Sequence, residues 1–254
     1  MHPRDDATRA LAKVPAITFG FWVIKVLATT LGETGGDALS MSLGLGYALS
    51  TVIFLGLFVL AVVVQIRSRH FHPTRYWLTV IASTTVGTTL SDFADRSLGI
   101  GYTGGSTLLL GLLLAALFAW HRTLGTIDVS SVSNPRAEGF YWLTIMCSQT
   151  LGTALGDWTA DSAGLGYLGA ATIFGGALLL VAAAWRWSSV SRTALFWIAF
   201  VLTRPLGAVV GDFLDKPLDH GGLALSRYVA SAVLLLAIGL CLMVFPQRAA
   251  ARQH

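Results

Sequence analysis

Four aspartates, Asp37, Asp92, Asp157 and Asp212, each stand fifteen residues after a tryptophan: Trp22, Trp77, Trp142 and Trp197. At about 1.5 Å per residue the interval is roughly 22 Å of helix. With the tryptophans as anchors at one headgroup boundary, where an apolar ring with a polar N–H is favoured, the carboxylates fall in the far third of a hydrocarbon core about 30 Å thick. An acid at that depth is expensive and marks a functional site by default. The bland alternative is a helix-end residue that reaches headgroups or caps the next turn. Four equivalent acids are expected to form a layer that attracts cations.

Oxygen donors share the faces that carry these acids. Thr85, Thr88, Asp92 and Asp95 follow helical spacing, as do Thr150, Thr153 and Asp157, with Gln149 adjacent, and Thr30, Glu33 and Asp37. Such a stripe suits hard cations such as Mg²⁺, Mn²⁺ or Ca²⁺, or a proton path. Histidine and cysteine are missing from it, apart from Cys147 one turn earlier, so a zinc or copper site is disfavoured. The candidate cation ligands are therefore Asp37, Asp92, Asp157, Asp212, Glu33, Thr88, Thr153 and Gln149. Lys25 lies eight residues before Glu33, and Arg204 eight before Asp212. Both are expected to compensate charge along their own helices, or to trade partners as a switch hinged at Pro205.

The elements that position these residues come in four copies. Ten residues after the tryptophans stand Gly32, Gly87, Gly152 and Gly207, and four later Gly36, Ser91, Gly156 and Gly211, next to the aspartates. Small residues four apart let helix backbones approach closely in lipid, so these eight are assigned to helix packing. The first three copies continue into Gly44-Leu-Gly-Tyr47, Gly99-Ile-Gly-Tyr102 and Gly164-Leu-Gly-Tyr167, whereas the fourth reads Asp219-His-Gly-Gly222. Each copy holds two apolar stretches, so the copies run parallel, about an axis along the membrane normal. This predicts an all-α integral membrane protein with eight transmembrane helices, arranged as a pseudosymmetric bundle. The whole chain, 1–254, is one membrane domain. Its repeats are near 14–66, 75–121, 139–187 and 193–245, with a cytoplasmic linker near 122–138.

Composition agrees. Of 254 residues, 54% are hydrophobic and only 12% charged, about half the charge of a soluble domain; mean hydropathy is +0.68. Two cysteines, both in apolar runs, exclude a disulfide scaffold. The net charge of +4 does not point to nucleic acid, because the basic residues fall in short clusters between apolar runs. Of the 17 Lys and Arg, only Lys25, Arg96, Arg204, Lys216 and Arg227 sit toward the aspartate side. The other twelve, Arg4, Arg9 and Arg252 among them, place both termini in the cytoplasm by the positive-inside rule. His70 and His72 read as solvated loop residues, and His220 as a weak metal candidate.

On these motifs the chain resembles a family of bacterial membrane proteins of unknown function, built from four tandem two-span repeats that each carry a marker tryptophan. The resemblance runs from about Phe21 to Phe245. It implies eight spans and a bacterial inner membrane, and brings no activity with it. No nucleotide-binding loop, zinc-protease helix or nucleophile elbow is present. No cofactor and no enzymatic activity are therefore expected, and the bilayer and a small cation are the expected partners; oligomeric state is open. The residues point to a secondary transporter or channel-like permease for a divalent metal such as Mn²⁺ or Mg²⁺, or a proton-coupled one. The alternative is a non-transporting scaffold or sensor packed through its GxxxG-D helices.

Overall fold

A computed structural model describes residues 12–250. The expectation that rested on Arg4, Arg9 and Arg252 thus lies partly outside the described residues. Eight α-helices follow in chain order: α1 (Phe19–Asp37), α2 (Gly46–Arg67), α3 (Pro73–Asp92), α4 (Gly101–Leu124), α5 (Pro135–Asp157), α6 (Gly166–Trp187), α7 (Arg192–Asp215) and α8 (Arg227–Val244).

The odd helices form the inside. α1 packs on α3 and α7, and α5 packs on the same two, which closes a ring of four. The even helices lie around it. α2 covers α3, α4 covers α5, α6 covers α7 and α8 covers α1. Each repeat therefore lays its second helix on the first helix of the next repeat, and the fourth closes back onto the first.

The small residues explain how closely the inner helices meet. A Cβ on Gly87 would stand 2.9 Å from Gln149 Cβ, and one on Gly152 would stand 2.5 Å from Arg204 Cβ. On Gly207 it would meet the Thr29 backbone at 2.8 Å, and on Gly32 the Thr84 backbone at 2.9 Å. One turn on, Gly36 faces Thr88, Gly156 faces Ala208 and Gly211 faces Glu33. The first glycine of every repeat thus abuts the same position of the next repeat, seven residues after its tryptophan. Ser91 takes the glycine place in the second repeat and donates to Asp95 Oδ2 at 3.3 Å.

Three of the four inner-to-outer crossings are built alike. α1, α3 and α5 each run into a five-residue π-helical turn, Ala38–Ser42, Phe93–Ser97 and Trp158–Ser162. A Gly-x-Gly follows with both glycines left-handed, for example Gly44 at φ 68° and Gly46 at φ 73°, a region that disfavours side chains. The fourth repeat has neither. α7 instead ends at Asp215, and the loop folds back so that Ala224 N donates to Lys216 O at 2.9 Å.

Leu57, Leu60, Leu112, Leu179 and Leu236 are exposed on the even helices, as an apolar surround requires. Five helices, α2, α4, α6, α7 and α8, are long and apolar enough to cross a membrane. α1, α3 and α5 are as long, at 19, 20 and 23 residues, but carry threonine, glycine and charge on faces buried against protein. The linker is packed rather than loose. Val129 and Val132 are buried, Ile127 O accepts from Trp197 Nε1 at 3.0 Å, and Lys13 bridges to Glu138 at 2.7 Å.

The tryptophans differ from the anchors expected at a lipid boundary. Trp77, Trp142 and Trp197 are buried and Trp22 is half-buried. Each packs on the aromatic that precedes the neighbouring tryptophan. Phe21–Trp77, Tyr76–Trp142, Tyr141–Trp197 and Phe196–Trp22 have ring centroids 5.4, 5.7, 6.2 and 5.8 Å apart. The result is a closed circuit of eight aromatics, with the Tyr76 and Tyr141 hydroxyls 2.6 Å apart. Burying large rings between helices supplies packing that lipid contact does not.

Candidate functional site

The aspartates sit at the last residue of α1, α3 and α5 and one turn before the end of α7. All four are buried. They do not form a ring open to an ion. They are instead joined in two pairs, each by one cation of the chain. Lys216 Nζ lies 2.5 Å from Asp37 Oδ2 and 3.0 Å from Asp212 Oδ1. Arg96 lies 3.0 Å from Asp92 Oδ1 and 3.3 Å from Asp157 Oδ2. Lys216 and Arg96 occupy the same repeat position, four residues after the aspartate, in the fourth and second copies. The other two copies have Met41 and Asp161 there. Fourfold acids and twofold cations therefore give the layer twofold character.

Lys216 lies just beyond α7. Burial alone lowers its pKa, but the Asp212 and Asp37 carboxylates outweigh burial and raise it above the ordinary lysine value. Arg227 extends this side of the layer, 2.9 Å from Asp215 Oδ2 and 3.8 Å from Asp37 Oδ2.

One turn deeper, the four inner helices meet at a single guanidinium. Arg204 Nη2, on α7, lies 2.9 Å from Glu33 Oε2 of α1, 2.6 Å from Thr88 Oγ1 of α3 and 2.5 Å from Thr153 Oγ1 of α5, so its two N–H groups are shared among three acceptors. Glu33, Thr88 and Thr153 share one repeat position, and the fourth copy has Ala208 there. The small side chain leaves room for a guanidinium that arrives from one turn away. Arg204 is fully buried, so a partner for its charge is a requirement rather than a refinement.

These contacts correct two expected pairings. Arg204 does not compensate Asp212; it pairs with Glu33 on another helix. Lys25 does not reach Glu33; its Nζ lies 4.2 Å from the Phe200 ring centroid. The reason is geometric. Eight residues on one helix are about 12 Å apart along the axis and about 80° apart around it, so a partner across the bundle is nearer. Pro205 produces no break, because α7 is continuous from Arg192 to Asp215.

Of the eight expected cation ligands, Glu33, Asp37 and Asp212 come together. Each offers a carboxylate oxygen, all within 4.8 Å of one another and all buried. Asp92 and Asp157 form the opposite pair. Thr88 and Thr153 face Arg204 rather than the aspartates, and Gln149 lies one turn below Thr153. His220 joins no such group among the described residues. Lys216, Arg96 and Arg227 were not foreseen as members of the layer. Two signals pointed to them. Both Asp92–Arg96 and Asp212–Lys216 are spaced i, i+4, and all three cations are exceptions to the charge asymmetry.

Four segments of the chain, residues 20–71, 75–126, 140–191 and 195–247, match a family described as Repeat of Unknown Function (DUF347). No curated protein and no solved structure matches the chain.

Proposed function

Because the chain belongs to this family of four-fold repeats, which brings no activity with it, its function has to be argued from its own residues, and we propose that it is a secondary carrier for a small cation. The cargo is a divalent metal such as Mn²⁺ or Mg²⁺, or an ion exchanged against protons. On this reading all eight helices span a bacterial inner membrane, with both termini in the cytoplasm and the acid layer toward the outside.

The observation that carries the proposal is the convergence of Glu33, Asp37 and Asp212, three buried carboxylates with oxygens within 4.8 Å. Carboxylate oxygen without sulfur or imidazole is the donor set of a hard cation. In the unloaded protein Lys216 and Arg204 neutralise these acids. A cation that enters displaces the Lys216 ammonium from Asp37 and Asp212, while Glu33 exchanges part of its bond to Arg204 for a bond to the ion. Lys216, just beyond the end of α7 and with its ammonium on a flexible stem, is the natural gate. The closed aromatic circuit at the other end favours a carrier that alternates between states over an open channel.

The same seal is what a non-transporting scaffold needs, and the test separates the two. A ligand that binds only the folded state raises its stability, by about 2.7 kcal/mol at a hundred times its Kd. Thermal unfolding of the purified protein is followed against Mn²⁺, Mg²⁺, Ca²⁺, Zn²⁺ and Na⁺. Stabilisation by one hard cation, lost in Asp37→Asn, is the expected result. No response in either the wild type or Lys216→Met, which frees the acids, sinks the carrier and leaves the scaffold.

A further inference from the structure

Below the Arg204 bridge lies a second polar level whose members lack partners. Lys25 is fully buried, and its Nζ has no hydrogen-bond partner among the described residues. The same holds for Arg204 Nε and for both amide atoms of Gln149, itself fully buried. In the repeat register Gln149 and Arg204 are equivalent, seven residues after their tryptophans, and Lys25 is one turn below.

The three residues are on three of the four inner helices, and α7 touches both of the others. Thr29 Oγ1 lies 3.1 Å from Lys25 O and 3.1 Å from Thr203 O, so the Lys25 turn of α1 abuts the turn of α7 that leads into Arg204. Thr153, which accepts from Arg204, is one turn above Gln149 on α5. The level is capped by the Arg204–Glu33 bridge on one side and by the Tyr76–Tyr141 pair on the other.

Among the unused groups, which also include Gln149 Oε1 and the Ser148 and Thr144 hydroxyls, donor hydrogens predominate. Lysine and arginine nitrogens only donate, and a glutamine amide supplies two more donor hydrogens. A buried ammonium without a counter-charge costs several kcal/mol, and buried polar groups are nearly always partnered. The Phe200 ring faces Lys25 on one side only. Glu33, the acid nearest in the layer above, is already held by Arg204.

We propose that Lys25 Nζ, Arg204 Nε and Gln149 Nε2 form an occluded binding site for a small monovalent anion of halide type. The anion accepts from all three helices and neutralises Lys25. Water also accepts but brings no charge, so it would leave Lys25 neutral, whereas an anion lets the ammonium persist beside Arg204. The site goes beyond the cation-carrier reading: it shares Arg204 with the Glu33 bridge through a different nitrogen, Nε against Nη2, and neither Lys25 nor Gln149 bonds to the aspartates.

The test is made on the full chain without divalent cations, so it does not depend on the carrier. Thermal stability is measured in sodium chloride, bromide and gluconate at constant ionic strength, and crystals grown in bromide are used for anomalous diffraction. A saturable, halide-specific stabilisation and a bromide peak within hydrogen-bond reach of Lys25 Nζ are expected. Lys25→Met abolishes the response. Gln149→Leu weakens apparent bromide affinity about tenfold, the worth of one hydrogen bond to a charged group. Equal stabilisation by gluconate, with no bromide peak at Lys25, overturns the proposal and makes the level a water cluster. If Lys25→Met does not fold, the wild-type bromide map decides.

Discussion

Lys216 Nζ lies 2.5 Å from Asp37 Oδ2, which ties the end of α7, the inner helix of the fourth repeat, to the end of α1, the inner helix of the first. Together with α8 on α1, this contact closes the circle of repeats. On the proposed reading, it also places a positive charge where the cation would sit.

Lys216→Met removes that competitor. The variant is expected to unfold at lower temperature in cation-free buffer, because breaking a buried ion pair costs about 3–5 kcal/mol. It is also expected to bind the cognate cation at least about tenfold more tightly than the wild type. Calorimetric titration and thermal unfolding read both effects. Equal affinity in variant and wild type removes Lys216 as the gate.

The Lys216 clamp should not respond to pH in the neutral range. Its folded pKa is raised, chiefly by Asp212 and Asp37 working against burial. A raised lysine contributes stability that is complete below the unfolded value and fades only as pH climbs through the folded one. The gap in unfolding midpoint between wild type and Lys216→Met is therefore expected to stay constant from about pH 6 to pH 9. A gap that closes within that window contradicts the assigned pairing.

Arg204 is expected to be the most sensitive single position. Arg204→Met leaves Glu33 buried without its counter-charge and costs about 3–5 kcal/mol. Arg204→Lys does not rescue it, since the shorter side chain does not carry its nitrogen to the point where Arg204 Nη2 meets Glu33, Thr88 and Thr153. The double variant Arg204→Met with Glu33→Leu recovers part of the loss, because no charge is then stranded. Denaturant titration in detergent checks the order of the three.

Two neighbouring glycines of α1 provide an internal control. A methyl at Gly32 collides with Thr84, whereas one at Gly35 meets nothing within 4 Å. Gly32→Ala is expected to destabilise by about 1–3 kcal/mol through overpacking. Gly35→Ala should be neutral or stabilising by up to about 1 kcal/mol through helix propensity. Equal effects would remove the close seam between α1 and α3.

Topology is open to labelling. With Cys147 and Cys241 replaced by serine, single cysteines at Arg69 and at Asp219 are expected to react from opposite sides of the membrane. Labelling of both by an impermeant reagent added outside contradicts the proposed eight-span arrangement.

Much of this arrangement is legible in the order of residues. The interval from tryptophan to aspartate sets repeat length and helix length together, and the Gly-x-x-x-Gly spacing marks the faces that meet. The helices fall where apolar periodicity places them, within a few residues at their ends. The first begins at Phe19 and not near residue 14, because Val14 to Ala16 pair with the chain near Ala249 and Lys13 N donates to Val132 O. Partner choice was less legible. Intervals along one chain say how far apart charges lie on a helix, but not which helix stands opposite.

The sequence by itself determined four parallel copies, an all-helical apolar chain and an acid in every copy, since each follows from local spacing and hydropathy. Only the tertiary structure decided that even helices cover the next repeat, that the tryptophans turn inward, and that Arg204 answers Glu33 while Lys216 and Arg96 divide the aspartates. Those outcomes depend on which surfaces meet when the circle closes. In a low-dielectric interior a charge must take the nearest opposite charge in space, whatever its distance in sequence.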